Sequence, residues 1–232
     1  MIIGAVAVGS LVAFSANAYL AFDAPGGVGI GGNSGANIVM GQEFIVTQAV
    51  TITALGAFDA AQDGWGASDS AQVAIYNFNT HAQVSPVVTL NAANPGTINL
   101  NSDSAYGGAS LYRFQAVTSF NLNPGTYEIV ASCTGSGANY QFYDAYGFGA
   151  PVANNTGGGL LTFGDGSGGA GNYLANGGLA FPGNLDGGPI GRYGAGSFSF
   201  TPVPEATAFG AAGVGLLALV YLGRCARRMK VA

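Results

Sequence analysis

Charged side chains make up only 7% of this chain, and lysine occurs once, at Lys230 near the C-terminus. Histidine also occurs once, as His81, and tryptophan once, as Trp65. Cysteine occurs twice, as Cys133 and Cys225. Each scarcity removes a class of chemistry. A Ser-His-Asp triad would have to use His81, which lies in a polar turn, and no G-x-S-x-G motif occurs anywhere in the chain. One histidine and Cys133 do not make a zinc site. With the two cysteines at positions 133 and 225, any disulfide framework confined to the central region is ruled out. The sequence therefore reads as a protein that is not an enzyme. The residual enzymatic reading is a glycosidase or lyase built on a pair of carboxylates, whose separation a sequence does not give.

What basic charge there is sits at the end. Four of the six cationic residues are Arg224, Arg227, Arg228 and Lys230. They follow an uncharged apolar run from Ala206 to Gly223. At 1.5 Å per residue this run spans about 27 Å, the hydrocarbon thickness of a bilayer. Tyr221 falls near one end, where an interfacial aromatic is favoured, and the basic cluster after it belongs on the cytoplasmic side. A plain C-terminal anchor would also fit. The head is apolar from Ile2 to Phe14, and Ala16-Asn17-Ala18 has the small-x-small form of a signal peptidase site before Tyr19. The n-region carries no Lys or Arg, so either the α-amino group serves alone or the true start lies upstream. The expected division is a signal peptide over 1–18, an exported domain over 19–201 and a tail over 202–232. Within that tail, 206–223 is the transmembrane helix and 224–232 the cytoplasmic end.

The tail resembles the PEP-CTERM sorting domain. Val203-Pro204-Glu205 stands for the motif, 206–223 for the helix, and Arg224, Arg227 and Arg228 for the basic cluster, with Ala206 where the signature has a second proline. The resemblance covers about an eighth of the chain. It implies recognition by an exosortase, a membrane cysteine transpeptidase that cuts near the motif. It also implies a transient stay in the inner membrane of a Gram-negative bacterium, then release or transfer to the cell surface or an extracellular polysaccharide matrix.

Between the two ends, Arg113 and Arg192 stand against ten acidic residues, which leaves a net charge of −8. Nucleic acid and anionic membrane surfaces are poor partners for such a domain, and divalent cations, Ca²⁺ among them, are better ones. Its pattern is β throughout. Glu43–Thr47, Val50–Phe58, Gln72–Asn77, Val84–Leu90, Leu111–Phe114, Val117–Leu122, Thr126–Ala131, Tyr140–Tyr146 and Gly196–Thr201 read as strands. In the second, Val50, Ile52, Ala54 and Gly56 alternate with Thr51, Thr53 and Leu55. Asn79–Ala82 and Asn123-Pro124-Gly125 read as turns. Short strands at this spacing predict an all-β sandwich or jelly roll. Leu122-Asn123-Pro124-Gly125-Thr126-Tyr127 also resembles the "L-x-P-G-x-Y" phrase of extracellular β-sandwiches common in surface and PEP-CTERM proteins.

Residues 157–196 include sixteen glycines and read as long loops over the sandwich. Phe163, Tyr173, Leu174, Leu179, Phe181, Leu185 and Ile190 are spread among them and require burial. Gly27–Gly32 matches G-x-G-x-x-G without the strand before it or the helix after it, so it reads as a loop. Gly164–Gly169 resembles a calcium-binding glycine repeat but occurs once. Cys133, within an apolar strand, reads as a buried small hydrophobe.

Asp63, Trp65 and Asp69 share one loop. An exposed Trp65 would be a stacking surface for a sugar ring, with the acids accepting hydroxyl hydrogen bonds or holding Ca²⁺. The other reading folds Trp65 back onto the sandwich, as the size of an indole favours. The functional expectation is a structural or adhesive surface protein, with a carbohydrate-binding module for exopolysaccharide as the alternative.

Overall fold

The uninterrupted β-branched and apolar run Val50–Phe58 forms one strand, and its neighbours assemble around it. The computed structural model describes residues 18–23, 38–59, 64–98, 112–134, 153–163, 170–174, 178–186 and 194–203. Fourteen strands lie in them: β1 Tyr19–Leu20, β2 Phe22–Asp23, β3 Ile38–Val46, β4 Val50–Phe58, β5 Ser70–Asn77, β6 Val88–Asn91 and β7 Thr97–Ile98. The rest are β8 Tyr112–Leu122, β9 Gly125–Thr134, β10 Ala153–Asn154, β11 Leu161–Thr162, β12 Ala170–Leu174, β13 Asn184–Asp186 and β14 Gly196–Pro202. The first sheet runs β1-β14-β4-β8-β7. The second runs β13-β12-β3-β9-β5-β6, with β11 also on β3. A two-stranded ribbon pairs β2 with β10. Every pairing among the described residues is antiparallel. The architecture is an all-β domain of two antiparallel sheets in a sandwich-like arrangement, open at β1 and β7.

Two short turns carry the chain between sheets, one of them the predicted Asn123-Pro124-Gly125 turn. Asn123-Pro124 ends β8 in the first sheet and starts β9 in the second. Thr47–Ala49 does the reverse between β3 and β4. The core between the sheets takes Met40, Phe44 and Val46 from β3, Ile129 and Ala131 from β9, Val73 and Ile75 from β5, and Phe198 and Phe200 from β14. Each such fully buried large side chain contributes about 1.5–3 kcal/mol of transfer free energy. A Cβ on Gly196 would meet Ile129 Cγ1 at 2.9 Å, so glycine there lets β14 lie close to β9.

Three expectations are corrected. The alternation in β4 does not run through: the register shifts between Ile52 and Ala54, so Leu55 and Ala57 join Val50 and Ile52 in the core. A bulge inserts a residue and reverses the alternation beyond it. The return strand starts at Val88, and Val84 and Val87 before it are exposed. Inside the glycine-rich stretch, β11 falls within Leu160–Phe163, where a short hairpin could be expected, but β12 and β13 are further strands of the second sheet. The Ala170-Gly171-Asn172 start of β12 and the Asn and Asp of β13 have little strand propensity, and pairing of β12 with β3 and of β13 with β12 supplies the order. Tyr140–Tyr146, Gly27–Gly32, Gly164–Gly169 and Arg192 lie outside the described residues.

Candidate functional site

The loop after β4 is tied down by charge. Asp59 follows the last residue of β4 and is fully buried. Its Oδ2 accepts the N–H of Gly64 at 3.1 Å and forms an ion pair with Nε of Arg113 from β8. Gly64 has φ +86°, and a Cβ there would also lie 3.6 Å from Arg113 Nη2. The chain then turns Trp65 inward. Its indole N–H donates to the carbonyl of Pro95 at 3.1 Å, and the side chain belongs to the main core at 7% exposure. The loop closes through Asp69, whose Oδ2 accepts Gly66 N–H at 3.2 Å and whose own N–H donates to Gly66 O at 3.0 Å.

Thus Trp65 and Asp69 are near one another, as their spacing implies, and Asp63 lies outside the described residues. Of the two readings of Trp65, the one that folds it back onto the sandwich matches its burial, and the indole packs against protein. Asp69 is also buried, with one carboxylate oxygen engaged by its own loop. No group of three or more His, Cys, Asp or Glu positioned to hold a metal ion occurs among the described residues. Asp69 has a further effect. Removal from water, and secondarily the Asp69 charge, push the Cys133 thiol up to about 12. Cys133 is partly buried and packed against the core.

A second polar cluster, which the sequence reading missed, lies on the second sheet. Glu43 on β3 stands directly opposite Glu128 on β9, and Glu128 stands opposite Tyr76 on β5. All three are buried, Glu128 at 0% and Glu43 at 3% exposure. They occupy the face of the second sheet turned away from the main core. There Val39, Ala74, Tyr76 and Val130 pack with Leu179 and Phe181 of the glycine-rich stretch. Burial pushes the Tyr76 phenol up. His81, at φ +58°, stacks flat on Phe181 with ring centroids 3.9 Å apart. Two facing carboxylates are the equipment of a glycoside hydrolase, but these lie on a covered face and are closed to a sugar in this conformation. A sequence signal did exist: two acids inside otherwise apolar strands.

The ends of the domain form a third locus. Tyr19 pairs with Phe200 and Leu20 with Ser199, so Ala18 lies beside Thr201. β14 continues to Pro202 opposite Val50, and Val203 N–H donates to Ala49 O at 3.2 Å. The first and last described residues, Ala18 and Val203, are therefore near one another at one end of the first sheet. The Asp59–Arg113 loop is at the other end, beside Gly196, about 20 Å away along a seven-residue strand. Ala16, Pro204, Glu205, Arg224, Arg227, Arg228 and the 206–223 run lie outside the described residues. Among the described residues no helix is long and apolar enough to cross a membrane. Comparison with protein-family models, curated proteins and solved structures gives no match.

Proposed function

We propose that this chain is the precursor of an exported surface or extracellular-matrix protein with a structural or adhesive role. A signal peptide over 1–18 directs export, and a PEP-CTERM-like tail with a transmembrane helix over 206–223 directs sorting by an exosortase-type enzyme. One observation supports the reading. Paired strands stand beside both proposed processing sites: β1 begins directly after Ala18, and β14 ends directly before Val203-Pro204. Both exits sit at the same end of one sheet, so an apolar head and an apolar tail can share one membrane without crossing the domain. The near absence of cations leaves a polar, net acidic surface, which suits a protein that acts by presence.

Intact mass of the protein from its native host, taken fraction by fraction, tests this. The expected mature form starts at Tyr19 and ends near Pro204. A membrane fraction still carrying Arg224 to Ala232 would make the tail an ordinary anchor and end the sorting proposal.

A further inference from the structure

The turn after β5 holds a side chain that its backbone disfavours. Among the described residues the left-handed region is otherwise filled by glycine, at Gly64, Gly96, Gly157, Gly158 and Gly159. His81 is the exception, at φ +58°. A Cβ crowds the main chain there, so this backbone favours glycine or asparagine. The turn holds its shape without the imidazole. His81 N–H donates to Asn77 O at 2.8 Å, and Asn77 Oδ1 accepts the N–H groups of Asn79 and Thr80 at 3.0 and 2.9 Å. Asn77 N–H donates to Ala82 O at 2.8 Å and closes the loop. In a chain of 40 glycines, a ring kept at such a position points to a use for the ring itself.

One face of the imidazole stacks on Phe181, with the two planes 10° apart. Phe181 is itself held edge-on by Tyr76 and Phe78, at 6.3 and 5.7 Å, and packs with Leu179 over Val39, Ala74 and Val130. That packing seats the glycine-rich segment without His81. Yet His81 remains exposed, and with one face covered its exposure comes from the other face and the ring edge. The result is a flat ring turned outward and backed by a second one. Asn79, Thr80 and Gln83 are exposed in the same turn and offer amide and hydroxyl groups. Neither contributing segment carries an Asp, Glu, Lys or Arg: none occurs from Ser70 to Ser102 or from Ala170 to Leu185. The apolar C–H face of a neutral sugar fits such a ring, and its hydroxyls fit the rim. A phosphate or a uronate would find no cation in these segments, and a nucleic acid would bring phosphates to a net acidic domain. We infer that His81, backed by Phe181, is the stacking platform of a site for a neutral polysaccharide, with Asn79 and Thr80 as its hydrogen-bonding rim. The site gives the adhesive role proposed above its ligand class and rests on that role alone, not on processing of the tail. It fills the part for which Trp65 is too deeply buried.

The test uses the protein isolated from its host, unsubstituted and as His81→Asn and His81→Gly, two residues that suit the φ of this position. Each is co-sedimented with cellulose, chitin and curdlan, all neutral, and with washed matrix from the host. The unsubstituted protein is expected to sediment with at least one of the three polysaccharides. Both variants are expected to bind it about tenfold more weakly, the loss of one stacking ring, with urea midpoints unchanged or raised. Sedimentation that neither variant weakens would overturn the site. So would sedimentation with the host matrix and none of the three polysaccharides, and the adhesive role would then stand. Sedimentation with nothing would overturn both. If the variants lose stability along with binding, the imidazole itself decides. His81 is the only histidine, so isotope-labelled histidine gives a single ring C–H signal. A soluble oligosaccharide of the polysaccharide that binds is expected to shift it. A signal unmoved at saturation would make His81 a clasp for Phe181 and overturn the site.

Discussion

The carboxylate of Glu128 fills the space above Gly41: a Cβ on Gly41 would lie 1.8 Å from Glu128 Oε1 and 2.8 Å from its Cγ. The two residues lie on adjacent strands and the same face of the second sheet. Gly41→Ala is therefore expected to cost ~2–3 kcal/mol by overpacking. In a Glu128→Ala background the same change should cost much less, since the clash is gone. Urea midpoints for the four members of this cycle measure the difference. Equal costs in both backgrounds would show that Glu128 does not hold this position.

Arg113 and Asp59 form an ion pair whose Asp59 side chain is 1% exposed and whose Arg113 side chain is 15% exposed. Removing one partner leaves a buried charge behind. Arg113→Met is expected to cost about 3 kcal/mol, with part of this recovered in Arg113→Met/Asp59→Leu. Chemical denaturation of the single and paired variants decides it. A single variant as stable as the parent would place the pair in solvent.

Trp65 reports on its own environment because it is the only tryptophan. Its native fluorescence should be blue-shifted and poorly quenched by acrylamide, moving to the red on unfolding. Trp65→Ala is expected to cost about 3–5 kcal/mol, the range for losing a large core aromatic. A red native emission with strong quenching would instead restore an exposed stacking face.

Cys133 has a thiol whose pKa is raised from 9.0 to about 12. Above pH 9 the unfolded chain releases this proton while the folded one keeps it, so stability falls as pH rises from 9 toward 12. Cys133→Ala should flatten that part of the profile. At pH 8 the thiol should react with a disulfide reagent only after denaturant is added. Rapid labelling of the folded protein would contradict the burial.

Local pattern made much of the fold legible. Val50–Phe58 was readable to the residue, because four β-branched residues, Val50-Thr51-Ile52-Thr53, open it and Phe58 closes it. The burial of Phe181 and Leu179 was likewise implied by their hydrophobicity. Leu55 was assigned to the wrong face, since a bulge depends on the neighbouring strand and leaves no mark in the alternation. Strands β12 and β13 were missed for a related reason: Ala170-Gly171-Asn172 has no intrinsic strand preference and takes its order from an edge already formed.

The sequence by itself determined the class: strand-length runs set the β content of an all-β domain. Only the tertiary structure decided which groups meet. It placed Trp65 inside, set Glu43 against Glu128, tied Asp59 to Arg113 and laid Tyr19 beside Phe200. The physical reason is range. Periodicity and propensity act between residues a few positions apart, whereas these contacts join strands 54 to 181 positions apart in sequence, through pairing registers that no local pattern specifies.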